Sequence, residues 1–146
     1  MKYALSIGYV VMIATATAAS ADERRSARAL YDLTASTARA LETSPFDRVA
    51  NQKLKATLDA RAEAFEFDTA SKDSERLFNC EYAAKQLSVI LSDAILAERP
   101  APAARAKIMR DRARDWETEM EGCRRLVKAP AAKIHMPSLV RRIAGN

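Results

Sequence analysis

Two cysteines constrain this chain more than any other feature, because each sits on an apolar helical stripe and the stripes flank one proline break. Upstream of Pro100-Ala101-Pro102, the residues Leu77, Cys80, Ala84, Leu87, Leu91 and Ile95 recur at three- and four-residue steps. Downstream, Met109, Ala113, Trp116, Met120, Cys123 and Val127 do the same. Such spacing marks one face of an α-helix. When the two runs are folded back about the prolines as an antiparallel hairpin, Cys80 faces Cys123 and Leu87 faces Trp116. The pairs Leu77–Val127, Ala84–Met120 and Leu91–Ala113 fall in the same register to within one residue. The pattern therefore predicts a helix from Ser74 or Glu75 to about Glu98, and another that stops before Pro130. It also predicts a Cys80–Cys123 disulfide, with Leu87, Trp116 and Met120 in the core between the helices. A bridge closing a loop of roughly 44 residues restricts the unfolded chain by about 4 kcal/mol in the loop-entropy model. That is a large share of the roughly 5–15 kcal/mol that holds a typical domain together.

The rest of the chain is also written for helices. The sequence has only three glycines, is dominated by Ala, Leu, Arg, Glu and Lys, and lacks alternating β-branched runs. A first helix is expected from about Asp22 to Glu42, burying Ala27, Leu30, Thr34, Ala38 and Leu41. Ser44-Pro45 reads as an N-cap followed by Pro at the first helical position, with Asp47 in the first turn facing the helix dipole. That second helix should continue to about Phe67, with Phe46, Ala50, Leu54, Leu58, Ala62 and Phe65 on one face. Asp68 to Ser74 is polar connector, and Ser74 a candidate cap for the next helix. The expected architecture is an all-α, small four-helix bundle over residues 22–128. Residues 129–146, with Lys133, His135, Arg141 and Arg142, read as a basic tail that either stays mobile or forms a short amphipathic turn.

The N-terminus has the layout of a secretion signal. Lys2 supplies a positive start, Ala4 to Ala18 form an uncharged and mostly apolar run, and Ala19-Ser20-Ala21 places small residues at −3 and −1. A membrane anchor would need about 20 strongly apolar residues; this run is shorter, rich in Ala and Thr, and followed at once by Asp22-Glu23-Arg24-Arg25. Residues 1–21 are thus expected to be cleaved, leaving no integral membrane segment and a periplasmic or secreted product. In such an oxidising compartment an even pair of cysteines reads as a disulfide. Lys2 is the one charged residue in the leader, so the formal charge falls from +5 to +4 on its removal. Acids and bases alternate along most helices, without the basic stripe and interleaved aromatics of a nucleic-acid binder, so nucleic acid is not an expected partner.

Little in the sequence points to catalysis. His135 is the only histidine and lies beside Lys133 in the Pro-flanked tail, whereas a nucleophile–base site needs a rigidly held imidazole. Glu63 and Glu66, and Glu117 and Glu121, share helix faces, yet each pair lies among arginines (Arg61, Arg114, Arg124, Arg125) as surface ion pairs do. The loop Asp68 to Glu75 lacks the glycine and acidic spacing of an EF-hand. CxxC, CxxCH and Gly-rich phosphate loops are absent. No enzyme activity, cofactor or metal is expected.

The most distinctive segment is the last predicted helix, whose outer surface carries Asp111, Asp115, Glu117, Glu119 and Glu121 between Arg110, Arg112 and Arg114. It reads either as a solvated face with i,i+4 support or as a docking surface for a cationic protein. Here Trp116-Glu117-Thr118-Glu119-Met120-Glu121-Gly122-Cys123, with Cys80 as the earlier cysteine, resembles the lysozyme-inhibitor-like domain family of exported bacterial proteins, over about residues 77–127. Ala113 stands where that family tends to carry Gln, and Met120 where it tends to carry Arg. The resemblance implies a non-enzymatic envelope binding protein whose partner is a cell-wall hydrolase. Asp115, Glu117, Glu119 and Glu121 would then be the contacts offered to a basic cleft. Two alternatives from other classes fit the same small exported helical chain: an immunity protein against a secreted toxin, and an envelope-stress or scaffold protein.

Overall fold

The computed structural model describes residues 18–96 and 100–145, and most of the predicted leader, along with residues 97–98 of the expected third helix, lies outside them. Among the described residues five helices follow in order: α1 (Ala21–Thr43), α2 (Arg48–Glu63), α3 (Ser74–Leu96), α4 (Ala103–Val127) and α5 (Met136–Ala144). No strand occurs among the described residues. The α3–α4 hairpin is the most intimate pairing; α1 and α2 pack on α3, and α5 packs on α4.

The hairpin forms in the register the stripes require. Leu77, Cys80, Ala84, Leu87 and Leu91 of α3 are buried against Met109, Ala113, Trp116, Met120 and Cys123 of α4. Cys80 and Cys123 are joined, their Cα atoms 4.7 Å apart. Toward the helix ends the stripes turn slightly: Ala94 and Leu126 are buried where Ile95 and Val127 are only half-buried. Gly122 permits the close approach at the disulfide. A Cβ there would lie 3.0 Å from Asn79 Cγ and nearer still to the amide terminus of that side chain.

Three local expectations are corrected by the structure. Ser44 does not cap the second helix but ends α1, its N–H donating to the Ala40 carbonyl at 3.0 Å. Asp47 is the N-cap of α2, its carboxylate accepting from the Ala50 N–H at 2.9 Å. The physical reason is that Pro45 is buried in the turn, its carbonyl accepting from the Asn51 amide at 3.1 Å. The helix therefore starts later, on a charged cap that also faces the dipole. Phe46 consequently sits in the turn and is exposed. At the other end, α2 stops at Glu63, and Phe65 and Phe67 pack in the following loop with ring centroids 5.6 Å apart. Ser74 is the first residue of α3 rather than its cap; just before it, the buried Ser71 hydroxyl accepts from the Asp73 N–H.

Of the two alternatives open for the basic C-terminal segment, residues 129–145 take the amphipathic one. Lys128 adopts a left-handed conformation that ends α4, and Tyr31 Oη donates to the Pro130 carbonyl at 2.7 Å, fastening the connecting strap to α1. Helix α5 then buries Met136, Leu139, Val140 and Ile143, an i, i+3, i+4, i+7 stripe, while Arg141 and Arg142 stay exposed. The Ala101 N–H donates to the Ala144 carbonyl at 2.8 Å, and Arg142 reaches the Glu42 carbonyl at the end of α1 at 3.1 Å. The bundle therefore has four main helices and a short fifth that closes one side.

Candidate functional site

The buried stripe of α4 divides the last four of that helix's five carboxylates into two i,i+4 pairs on opposite edges. Asp115 and Glu119 lie on the edge facing α3; Glu117 and Glu121 lie on the edge facing the strap and α5. The four predicted contact residues are thus brought together two by two, not as one face.

The Glu117–Glu121 edge is engaged inside the molecule. Glu117 Oε1 accepts from the Met136 N–H at 3.1 Å and lies 3.0 Å from His135 Nδ1, so its charge sits at the N-terminus of α5 where the helix dipole favours it. Glu121 takes both the Nε and Nη2 of Arg124 at 2.6 and 2.8 Å, and the Nε of Arg125 at 2.8 Å. Hydrogen bonds from Arg124 and then Arg125 hold its carboxyl down to about 2. The same edge borders a small cleft of about 100 Å³ over Tyr31, Trp116 and Arg124, closed by residues 131–134 of the strap. Trp116 itself is buried with Leu87 and Met120 as expected, and its indole Nε1–H has no partner among the described residues.

The Asp115–Glu119 edge is different. Glu119 is half-buried beside Asp115 and Glu75. Burial first, then the charges of Asp115 and Glu75, push its carboxyl above the ordinary glutamate range. None of these three carboxylates has an ion-pair partner among the described residues. The Asn79 amide, with its nitrogen turned toward them, donates to Glu119 Oε2 at 2.7 Å and to the Glu75 carbonyl at 3.0 Å. Next to this cluster, Phe78 and Tyr82 stand exposed on α3 with their rings stacked at 5.3 Å. Beyond Tyr82 an open hollow of about 390 Å³ lies between Lys85, Gln86 and Val89 of α3 and Arg112 and Asp115 of α4.

The aromatic half of this surface is absent from the sequence expectations. Its signal is present: Phe78, Tyr82 and Val89 recur at steps of four and seven, one position round the helix from the buried Leu77-Ala84-Leu91 row. A helix with two apolar rows and one inward face must expose one of them.

The remaining candidates are scattered. Glu63 and Glu66 are exposed, Glu66 beyond the end of α2. His135 is exposed against Glu117. The loop after α2 is clasped to α1, with the Asp68 N–H donating to Glu23 Oε1 at 2.6 Å and Asp73 pairing with Arg24 at 2.8 Å. Among the described residues no group of three or more His, Cys, Asp or Glu side chains is placed to hold a metal ion. None of their helices is long and apolar enough to cross a membrane.

What the α3–α4 edge can do chemically is receive a cation. Carboxylates engaged in no ion pair and an exposed aromatic pair offer a Lys or Arg side chain both an ion pair and a π face. Set against family models, curated proteins and solved structures, the chain finds no match.

Proposed function

We propose that the protein is exported and acts by binding rather than catalysis, restraining a cationic cell-wall hydrolase of the lysozyme kind. The observation that carries this reading is the cluster of Glu75, Asp115 and Glu119, none of them in an ion pair, beside the stacked Phe78–Tyr82 pair. Like charges held together, one of them half desolvated, are relieved by an incoming positive group, so the arrangement favours a basic partner over an acidic one. The Trp116–Cys123 spacing adds support through its resemblance to the lysozyme-inhibitor-like domains. The chain's overall positive charge opposes long-range steering toward such a partner, so attraction has to come from this local patch.

The test is the rate of cell-wall digestion by lysozyme with and without the oxidised mature protein. The reading predicts inhibition at micromolar protein that weakens with added salt. The pair Asp115→Arg and Glu119→Arg should abolish it. Glu121→Gln, which alters a carboxylate already held by two arginines, should leave it intact. No inhibition at micromolar protein removes the hydrolase reading, and inhibition untouched by the charge reversals removes this surface.

A further inference from the structure

The start of α1 bears on where the leader is removed, an inference that rests on the export reading above. Helix α1 begins at Ala21, and its cap lies before that residue. Ser20 is the N-cap: its hydroxyl accepts from the Glu23 N–H at 3.1 Å, while Glu23 Oε2 accepts from the Ser20 N–H at 2.6 Å. The two together are a capping box. The other oxygen of Glu23 accepts from the Asp68 N–H at 2.6 Å, so the cap also fastens the α2–α3 loop. One residue earlier, Ala19 is 8% exposed and packs with the hydrophobic core. A cut after Ala21 would discard Ala19, Ser20 and the capping box. It would also place a new α-ammonium at Asp22, inside the first turn, where the positive end of the helix dipole opposes it.

Three residues upstream the sequence reads Ala16-Thr17-Ala18, which satisfies the same small-residue requirement at −3 and −1. A leader ending at Ala18 retains Lys2 and the uncharged apolar run, and falls within the roughly 15–30 residues usual for such signals. We infer that processing occurs after Ala18, so that the mature chain begins at Ala19 and keeps both the buried alanine and the Ser20–Glu23 box. The charged amine then sits outside the cap, next to the Glu23 carboxylate.

The experiment is N-terminal sequencing and intact mass of the full-length gene product recovered from outside the cytoplasm. A start at Ala19 is expected. A start at Ser20 or Asp22 overturns this assignment and leaves export standing, whereas a chain still beginning at Met1 overturns both. A second measurement keeps the physical argument separate from the peptidase's choice. Protein beginning at Ala19 should melt about 3–5 °C above protein beginning at Asp22, the effect of one lost cap on a domain of this size. Equal melting temperatures would contradict the role given to the cap.

Discussion

At the scale of single residues, Glu121 and Glu119, on opposite flanks of α4, are shifted in opposite directions. Glu121 has its folded-state pKa lowered to about 2 by Arg124 and Arg125. It therefore contributes stability that is complete above the ordinary glutamate value near 4.5 and is lost as pH falls through about 2. Glu119 is raised by burial, Asp115 and Glu75, so its ionised form is a cost at neutral pH that disappears on acidification through the raised value. Replacing each by Gln should accordingly give opposite results in thermal melts. Glu121→Gln lowers Tm at pH 7, by a small amount because that pair is exposed to solvent, and the deficit closes toward pH 2. Glu119→Gln raises Tm at pH 7 and the gain closes as pH drops. Shifts of the same sign for both would contradict the assignment. This difference was not legible beforehand, since Asp115, Glu117, Glu119 and Glu121 look alike in sequence and only packing against α3 or α5 separates them. The same holds for caps: Ser44-Pro45 carries a good start signal, but the buried Pro45 carbonyl is taken by Asn51, so Asp47 serves instead.

At the scale of elements, the approach of α3 to α4 depends on Gly122 and Asn79. Gly122→Ala should cost about 1–2 kcal/mol, because Asn79 must leave its place and its bonds to Glu119 and the Glu75 carbonyl. In an Asn79→Ala background the same change should cost markedly less, because the amide is gone and only the Cβ at position 79, 3.3 Å from the new methyl, still has to give. Urea unfolding of the four proteins checks this, and additive effects would show that the two sites do not touch. Helix α5 makes a second element-scale prediction. Ile143→Ala should destabilise the whole domain by about 2–5 kcal/mol in the same assay, where a mobile tail would show no effect. The stripe Met136-Leu139-Val140-Ile143 was readable as the amphipathic alternative; what kept the mobile one open was the concentration of Lys133, His135, Arg141 and Arg142 around it. Those basic residues are the solvent face of the same helix. By contrast, the long α3 and α4 were legible because each repeats its step over six positions, and a long pattern leaves one orientation.

At the scale of the whole molecule, the fold class, the hairpin and the disulfide could all be reached from sequence, since each follows from periodicity plus one proline break. The candidate surface could be reached only in part. Sequence supplied Asp115 and Glu119, grouped with Glu117 and Glu121 of the opposite edge, but missed Glu75, because the partnership of Asp115 and Glu119 with Glu75, Phe78 and Tyr82 depends on which sides of two helices meet. The surface is in turn only as fixed as the hairpin beneath it, because the staple at Cys80–Cys123 lies directly under Asn79 and Gly122. Guanidinium unfolding of the protein with the bridge intact and after reduction and alkylation therefore bears most directly on the account. A loss of about 4 kcal/mol on reduction is expected for a loop of this length, with the hairpin fraying from its open end. Equal stability of the two forms, or thiols that react freely in the native protein, would contradict it.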